Sequence, residues 1–369
     1  MKKDLKYWIW LSSINGLGPR KCMQLMKLFG EPKNIWEISS DELKNMKIVP
    51  KAIINQLIDL KIKAGVEDIL EKMYKSNIQA ITINEEEYPN YLKNIHDPPI
   101  VLYVKGRLLK EDKAVAVVGS RKASSYGLKM AETISYELSK CGITVVSGMA
   151  KGIDSSAHLG ALRAAGRTIA VLGCGLDKIY PVENKELMSK IYETGAVISE
   201  YIPGTPPMPQ NFPARNRIIS GISKGVVVIE ANEKSGSLIT ADFALEQGRE
   251  VFAVPGNVNS FTSKGTNKLI RDGAKIVTCI EDVLEEINIF RSAEYNVFEQ
   301  KELEKGRFLT GLNSEERKLA ESLFSEPLHV DKIATDTGIS IQNVNAILVM
   351  LELQGIIEQL PGKIFKIRE

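Results

Sequence analysis

The chain has 369 residues, of which 44% are hydrophobic and 25% are charged. This composition is typical of globular proteins and excludes the disordered and fibrous classes, and the length is sufficient for two or three domains. Every apolar run is far shorter than the roughly 20 residues that a membrane span requires, and residues 1–10 lack the pattern of a signal peptide. We therefore expect a cytoplasmic protein.

The balance of charge changes along the chain, although the net charge is only +2. Residues 1–75 carry 14 basic and 9 acidic side chains, and residues 113–280 carry 20 and 14. Residues 281–369 reverse this balance, with 10 basic and 17 acidic side chains. A polyanionic ligand is therefore expected to contact the first three quarters of the chain.

Residues 1–75 predict a small helical domain of the helix-hairpin-helix or SAM-like kind, because apolar residues recur there at helical spacing. Residues 14–21, with the sequence INGLGPRK, resemble a helix-hairpin-helix turn, in which glycine amides hold a DNA phosphate. A short Gly-x-Gly between helices is also an ordinary turn, so a module that contacts protein partners stays equally open. Residues 76–112 contain three prolines and two strand-like runs, and we interpret them as a connecting segment.

Residues 113–280 predict the core of the protein. Seven apolar runs rich in β-branched residues alternate there with helical stretches. Uninterrupted apolar runs suit strands that are buried on both faces, so we predict an α/β fold with a Rossmann-like, doubly wound and mostly parallel sheet. The runs are Ala114–Gly119, Ile143–Ser147, Thr168–Leu172, Ala196–Ser199, Val226–Glu230, Val251–Val254 and Ile276–Thr278.

The last part of the sequence predicts a linker over residues 281–312 and a winged helix over residues 313–369. Three helical stretches are followed by two short apolar runs around Pro361 and Gly362. Residues 333–362 contain no lysine or arginine. Because cationic side chains dominate phosphate binding, we interpret the winged helix as a contact surface for protein partners.

The loops that follow the core strands are rich in glycine, hydroxyl and cationic residues. Ligands of open parallel sheets bind at the carboxyl ends of the strands, where glycine lets the backbone approach and hydroxyl or cationic groups hold oxyanions. The loops therefore predict a phosphate site. Its candidate residues are Gly119, Ser120, Arg121, Gly148, Lys151, Gly152, Lys178, Tyr180, Phe212, Arg215, Asn216, Arg217, Ser235, Gly236, Ser237 and Thr240.

The familiar nucleotide motifs are absent from these loops. Neither residues 119–127 nor residues 173–178 fit the GxGxxG pattern of dinucleotide sites, and residues 148–156 lack the end of a P-loop. The four cysteines lie far apart without a paired motif, which disfavours a zinc site or a disulfide framework. We therefore expect no cofactor and no metal.

The length of the strand edge favours a polymeric ligand. Six adjacent strands span roughly 24 Å at a spacing of about 4.8 Å, and basic residues occur in at least four of the loops, whereas a mononucleotide would occupy two or three. Tyr180 and Phe212 are candidates for stacking on bases. A charged groove with aromatic platforms is typical of proteins that hold single strands without reading their sequence, so single-stranded nucleic acid is the leading ligand.

Five runs in these loops resemble the DNA-processing protein A (DprA/Smf) family. They are VGSR at 118–121, SGMAKGID at 147–154, GCGLDKIYP at 173–181, NFPARNRII at 211–219 and SGSLIT at 235–240. The resemblance implies a non-catalytic protein of natural transformation that protects incoming single-stranded DNA, helps to load RecA recombinase and forms a homodimer through its Rossmann-like domain. It also implies that Arg121 and Lys178 contact DNA.

Several residues have a structural interpretation beside the functional one. Asp154 is expected to be the N-cap of the helix that follows it, and His158 is expected to be structural because no nucleophile or third ligand accompanies the pair. Arg215 and Arg217 are two positions apart and would diverge on a helix. We therefore expect only one of these two arginines to reach the strand.

Two alternatives come from other functional classes. One is a nucleoside-phosphate enzyme of the lonely-guy-like Rossmann group, whose helix start resembles residues 235–240. Phe243 stands where those hydrolases have glutamate, which argues against hydrolysis. The other is a regulator that reads duplex DNA through the winged helix, and deletion of residues 300–369 would separate it from single-strand binding by the core.

Overall fold

The computed structural model of the chain describes residues 4–45, 48–110, 112–287, 313–323, 327–353 and 356–367. It divides into two compact units, residues 1–292 and 293–369. The predicted linker lies mostly outside the described residues, and only its start, a short helix α14 over Glu281–Glu286, belongs to the described part of the first unit. In the part of the chain that the structure describes, no helix combines the length and apolar character needed to cross a membrane.

The first unit begins with six helices. They are α1 (Leu5–Ser13), α2 (Pro19–Phe29), α3 (Pro32–Glu37), α4 (Ser40–Asn45), α5 (Lys51–Ile58) and α6 (Leu60–Lys75). Gly16 takes a φ of 78° in the turn between α1 and α2, a conformation that glycine adopts without steric strain. The rings of Trp10 and Trp36 meet edge to face at 5.1 Å, and the ammonium of Lys63 lies 4.8 Å from the Trp36 ring centroid.

A nine-stranded sheet follows the helices. Its strands are β1 (Gln79–Thr82), β2 (Val101–Gly106), β3 (Ala114–Val118), β4 (Thr144–Ser147), β5 (Thr168–Leu172), β6 (Ala196–Ser199), β7 (Gly225–Val228), β8 (Glu250–Ala253) and β9 (Lys275–Ile276). The order is β1-β2-β6-β5-β4-β3-β7-β8-β9, and the seven strands from β6 to β9 in this order are parallel. The predicted doubly wound, mostly parallel sheet is confirmed.

The two strand-like runs of the predicted connecting segment are strands of this same sheet. β2 pairs antiparallel with β6, placing Tyr103 opposite Ser199, and β1 pairs antiparallel with β2. Beyond β1 the chain turns back on itself, and the backbone N–H and side-chain hydroxyl of Thr82 both donate to the Glu85 carboxylate. A hydrogen-bonded turn thus directly follows this edge strand.

Helices cover both faces of the sheet. They are α7 (Asn90–Lys93), α8 (Ser125–Lys140), α9 (Ile153–Arg163), α10 (Lys185–Thr194), α11 (Asn211–Ile222), α12 (Gly236–Glu246) and α13 (Lys264–Arg271), with α14 at the end. In β3, Val115 and Val117 pack towards α8, α9 and α14, whereas Ala114, Ala116 and Val118 pack in the cluster that contains α10, α11 and α12. This alternation explains why β3 reads as one uninterrupted apolar run.

The second unit is a small winged helix, as predicted. Its elements are α15 (Ser314–Ser322), β10 (Leu328–His329), α16 (Val330–Thr337), α17 (Ile341–Leu353), β11 (Ile357–Leu360) and β12 (Ile364–Ile367). The strands form an antiparallel sheet in the order β10-β12-β11. Gly338 ends α16 in the left-handed conformation, with a φ of 69°, and so allows the sharp turn into α17.

Candidate nucleic-acid interface

The order of the parallel strands reverses between β3 and β7, because β4 to β6 extend to one side of β3 and β7 to β9 to the other. Loops diverge at such a switch point and leave a crevice at the carboxyl ends of the strands. A cavity of about 580 Å³ lies at this place, lined by the loops after β3 and β7 and by α11. We call it the main groove.

The main groove brings together most of the residues that the sequence predicted. Gly119, Ser120, Arg121, Tyr180, Phe212, Arg215, Asn216, Ser235, Gly236, Ser237 and Thr240 all line it. Gly148 and Lys151 line a smaller adjoining cavity instead. Gly152, Lys178 and Arg217 line neither of these two cavities.

The loop after β3 is fixed by a buried carboxylate that the sequence analysis missed. Glu230, 3% exposed at the end of β7, accepts hydrogen bonds from the Ser124 hydroxyl at 2.6 Å and the Ser124 N–H at 2.9 Å. The Glu230 carbonyl accepts the Ser120 N–H at 2.8 Å. A side chain at position 119 would place its Cβ 2.9 Å from that carbonyl oxygen, so only glycine fits there.

The loop after β4 is a tight turn against the β3 loop. Gly152 has a φ of 82°, and a Cβ there would lie 2.4 Å from the Ser120 carbonyl oxygen. Gly152, not Asp154, is the N-cap of α9, so the prediction for Asp154 was wrong. The Asp154 carboxylate instead accepts the Ala150 N–H at 3.3 Å across the turn and lines the main groove. Burial raises the pKa of Asp154, against the opposing charge of Arg215.

Arg215 is the central cation of the site, and it is only 4% exposed. Its Nη1 donates to the carbonyl oxygens of Gly148, at 2.7 Å, and Val171. Within the described residues its Nη2 makes no hydrogen bond, its Nε is buried without a hydrogen-bond partner, and Arg215 lines both cavities. Burial lowers the pKa of Arg215 to about 10, partly offset by Asp154, so the guanidinium stays charged at neutral pH.

Arg217 lies on the opposite side of α11 from Arg215. It is 5% exposed, and its Nε and Nη2 bind the carboxylates of Asp97, at 3.0 Å, and Glu200, at 2.7 Å. The two arginines diverge as the helical spacing predicted. Arg217 therefore connects α11 to its neighbours in a buried ion-pair cluster, and we do not propose it as a DNA contact.

Two predicted lysines have acidic neighbours. The ammonium of Lys178 lies 3.7 Å from the Asp177 carboxylate and Lys178 lines neither cavity, so its contact with DNA stays a prediction. The ammonium of Lys151 lies 2.5 Å from Glu183, with both side chains more than half exposed. Such exposed pairs are weak and exchange readily for other partners, so Lys151 stays available to an anion.

Tyr180, Phe212 and Arg121 lie next to one another in the lining of the main groove, and we call this part its aromatic wall. The rings of Tyr180 and Phe212 lie 5.4 Å apart and are inclined by 32°, and the Arg121 guanidinium carbon lies 5.3 Å from the Phe212 centroid. Tyr180 is 43% exposed. Lys122 and Lys234, two lysines that the sequence analysis did not select, also line the groove. The wall therefore presents both a stacking surface and positive charge.

The N-terminal end of α12 also lines the main groove. Ser235 caps this helix by accepting the Ser237 N–H, and the Asn216 amide donates to the Gly236 carbonyl at 3.1 Å. A Cβ at position 236 would meet nothing within 4 Å, so the space in front of this helix end is open. Helix N-termini attract anions because their N–H groups and dipole point outward.

His158 is buried away from both cavities, consistent with the structural interpretation. Its Nδ1 lies 2.7 Å from the Thr168 hydroxyl, which itself donates to the Val145 carbonyl. The hydroxyl proton is thus committed to the carbonyl, and Nδ1–H must donate to the hydroxyl oxygen. Burial and the charge of Arg215 lower the pKa of His158 to about 3. Among the described residues, no three His, Cys, Asp or Glu side chains are grouped as metal ligands would be.

We expect His158 to make the first unit lose stability in mild acid. Between pH 6.5 and about 3, His158 is protonated in the unfolded state but not in the folded state. Stability is therefore full above pH 6.5 and falls by up to about 1.4 kcal/mol per pH unit below it. Urea unfolding at pH 7 and pH 5, followed by the fluorescence of the tryptophans, all in the first unit, measures this loss. His158→Gln should reduce the loss by about 2 kcal/mol, and an identical loss in both proteins would contradict the assignment.

Two family models match the sequence. The model described as DNA recombination-mediator protein A matches residues 79–288, and the model described as DprA winged helix domain matches residues 307–363. Protein Smf of Synechocystis sp. is 34% identical, over 96% of this chain and 97% of the relative. The resemblance drawn from the five loop motifs is thereby confirmed.

Solved structures agree with the family models. The X-ray structure of DNA processing protein A from Streptococcus pneumoniae matches with a TM-score of 0.65 and 39% identity, over 76% of this chain and 97% of that chain. DNA processing protein A from Helicobacter pylori, described for its unique single-stranded DNA binding mode, matches with a TM-score of 0.52 and 32% identity, over 57% of this chain and 97% of that chain. On this sequence and structural similarity, the chain belongs to the DNA recombination-mediator protein A family.

Proposed function

We propose that this chain binds single-stranded DNA in the main groove, by contacts to phosphates and by stacking, without turnover of the DNA. The observation that carries the proposal is Arg215, a buried cation that backbone carbonyls hold in place in the lining of the groove, with no hydrogen bond at its Nη2 among the described residues. A buried charge is unfavourable unless hydrogen bonds and opposite charges compensate it, so an approaching anion would stabilise the Arg215 guanidinium. DNA processing protein A from Helicobacter pylori, whose structure is similar, binds single-stranded DNA, and this supports the same class of ligand here.

The composition of the groove favours a single strand over a duplex. Tyr180 and Phe212 offer ring faces, and the bases of a duplex are already stacked on each other and closed to such contacts. The start of α12 also lines the groove, and a helix N-terminus is a favourable place for a phosphate. A strand lying in the groove would thus place bases on the aromatic wall and its backbone near the helix end.

The wider role that we propose follows the family. The protein would act in the cytoplasm during natural transformation and recombination, protect incoming single strands and help to load RecA recombinase, as a homodimer formed through the Rossmann-like domain. The winged helix would contact protein partners, because the exposed side chains of α17 are uncharged from Gln342 to Met350. The domain boundaries predicted from the sequence, residues 1–75, 113–280, 281–312 and 313–369, are part of this proposal, whereas residues 76–112, predicted as a connecting segment, contribute β1 and β2 to the core sheet.

We expect binding to depend on strandedness and salt. Arg121, Lys122, Arg215 and Lys234 line the main groove, so the slope of log affinity against log salt for oligothymidylate should be roughly −3, at about −0.7 per neutralised phosphate. Fluorescence anisotropy with a single strand and with a duplex of equal length, at two or more salt concentrations, measures both effects. Equal affinity for the duplex, or affinity that does not change with salt, would refute the proposal. Loss of duplex binding on deleting residues 300–369 would instead support the winged-helix regulator.

A further inference from the structure

A basic surface adjoins the main groove on the side of β8. It is made of two segments, residues 122–131, which enter α8, and residues 255–271, which follow β8 and include α13. We call these two segments together the outer surface. Apart from Lys122, none of the residues in the two segments lines the main groove or the smaller adjoining cavity. Lys122 is thus the residue that the groove and the outer surface share.

Hydrogen bonds join the two segments to each other and to the loops of the groove. The Thr262 hydroxyl donates at 3.2 Å to Glu230, the buried carboxylate that fixes the β3 loop. The Tyr126 hydroxyl donates to the Pro255 carbonyl oxygen at 3.5 Å. These bonds hold the outer surface next to the β3 loop, so a strand that leaves the main groove at Lys122 meets the outer surface directly.

The charged side chains of the outer surface are all positive. All 14 acidic side chains of residues 113–280 lie outside its two segments, and its five cationic side chains are exposed. These five are Lys122, Lys129, Lys264, Lys268 and Arg271. Among the described residues only one of them, Arg271, has a carboxylate within 4 Å, that of Asp272 at 3.7 Å. Positive charge without acidic partners, beside a groove that suits phosphate, attracts a polyanion.

Two aromatic side chains of the outer surface are exposed to solvent. Tyr126 is 52% exposed and Phe261 is 67% exposed. A single exposed hydrophobic side chain is common on protein surfaces, so neither residue alone would indicate a ligand. Here both lie among lysines without acidic partners, next to a groove that already presents aromatic rings. Aromatic rings on a positive surface are what a single strand needs for base stacking and phosphate contacts.

We propose that the outer surface continues the binding site for single-stranded DNA beyond Lys122. Bases of the strand stack on Tyr126 and Phe261, and phosphates pair with Lys129 and Lys264. The main groove, at about 580 Å³, is within the range of about 300–1,000 Å³ that is typical of small-molecule sites, so it holds only a short piece of strand. This inference rests on the proposed function and adds a second set of contacts that only a longer strand reaches.

The test compares oligothymidylates of about 4 and about 16 nucleotides, the two ends of the usual range of single-strand sites. The full chain with Tyr126→Ala and Phe261→Ala should bind the short strand as the wild type does and the long strand about tenfold more weakly. Anisotropy titrations at low salt, where phosphate contacts are strongest, measure both affinities. Equal loss for both lengths, or no loss for the long strand, would overturn the outer-surface inference and leave the proposed function intact. If the wild-type protein binds neither strand, the proposed function falls as well.

Control variants locate the effect on the outer surface. Tyr74→Ala removes a ring that is more exposed, at 88%, but belongs to α6, so both strands should keep their affinity. Phe261→Trp keeps a ring and should keep the affinity for the long strand. Lys129→Gln with Lys264→Gln should make the salt slope of the long strand shallower by about 1.4, at about 0.7 per phosphate, and leave that of the short strand unchanged. A loss in Tyr74→Ala as large as in the double alanine variant, or an unchanged slope for the long strand, would contradict the inference.

Discussion

Replacing Arg215 by alanine should nearly abolish binding of oligothymidylate, whereas replacing Arg217 by alanine should leave it intact. The two arginines lie two positions apart on α11 and are buried to the same extent, at 4% and 5% exposure. Arg215 lines the main groove and makes no hydrogen bond through Nη2 within the described residues, whereas Arg217 is committed to Asp97 and Glu200. A hydrogen bond to a charged group is worth about 1.5–3 kcal/mol, so loss of Arg215 should weaken binding about 10- to 150-fold.

Both substitutions should destabilise the protein, which makes them matched controls. Arg215→Ala leaves the carbonyls of Gly148 and Val171 without their donor, and Arg217→Ala leaves two carboxylates without their cation. Breaking a buried charge pair costs about 3–5 kcal/mol. Circular dichroism at the temperature of the titration gives the folded fraction, and affinity is compared per folded molecule. If Arg217→Ala binds as weakly as Arg215→Ala, the cation of the groove has been assigned wrongly.

A third arginine separates binding from stability. Arg121 lines the main groove from an exposed position and contacts the Phe212 ring, and among the described residues its guanidinium makes no hydrogen bond or ion pair with a buried side chain. Its substitution by alanine should therefore weaken binding less than loss of Arg215 and should leave the unfolding midpoint almost unchanged. The three variants together distinguish three roles. Arg217 contributes to stability alone, Arg121 contributes to binding alone, and Arg215 contributes to both.

The fold could be predicted from the sequence because its signals are strong and local. Strands buried on both faces must read as continuous apolar runs, and β3 to β8 do so. The partners of β1 and β2 could not be predicted. The pairing of β2 with β6 depends on which edge of a distant sheet is free, and no local pattern records that. For this reason residues 76–112 looked like a connection although they complete the sheet.

The sequence was sufficient to predict which loops form the candidate site, but not which of their side chains point into it. Spacing showed that Arg215 and Arg217 diverge, yet only the packing of α11 decides which of them faces the groove. Lys178 lies in a loop with the right motif, but the turn around it places its ammonium beside Asp177. Conversely, Lys122 and Lys234 line the groove although neither residue is distinctive in the sequence. A sequence names the residue types of a loop, and the backbone conformation decides where they point.

Glu230 illustrates a signal that was present and not used. An acidic residue directly after a strand that is otherwise wholly apolar must find partners, because an unpaired buried carboxylate is strongly unfavourable. In the structure those partners are Ser124, the N-cap of α8, and Thr262, in the segment after β8. The carboxylate therefore organises the start of α8 and the β3 loop, and a Cβ at Gly127 would lie 2.5 Å from it. An acidic residue at the end of an apolar run is a useful sign of a buried carboxylate that holds neighbouring loops by hydrogen bonds.

Replacing Gly236 by aspartate should abolish DNA binding while leaving the protein at least as stable. Gly236 is the first residue of α12, and a Cβ there would meet nothing within 4 Å. A negative charge in the first turn of a helix is favourable by about 0.3–1 kcal/mol, and replacing glycine in a helix adds a similar gain. The same carboxylate would occupy the place that we assign to a DNA phosphate and repel it. Stability and affinity should therefore change in opposite directions, which a folding defect cannot produce.

Gly236→Asn is the matched control, because asparagine has nearly the shape of aspartate without its charge. We expect its affinity for oligothymidylate to stay within about threefold of the wild type, against a loss of at least about tenfold for Gly236→Asp, where tenfold corresponds to about 1.4 kcal/mol. The gap between the two variants should shrink as salt is raised, since screening weakens the repulsion. Equal affinity of the two variants at low salt would show that no phosphate approaches the start of α12. The strand would then have to follow the aromatic wall of Tyr180 and Phe212 alone, with Arg215 as its nearest buried charge.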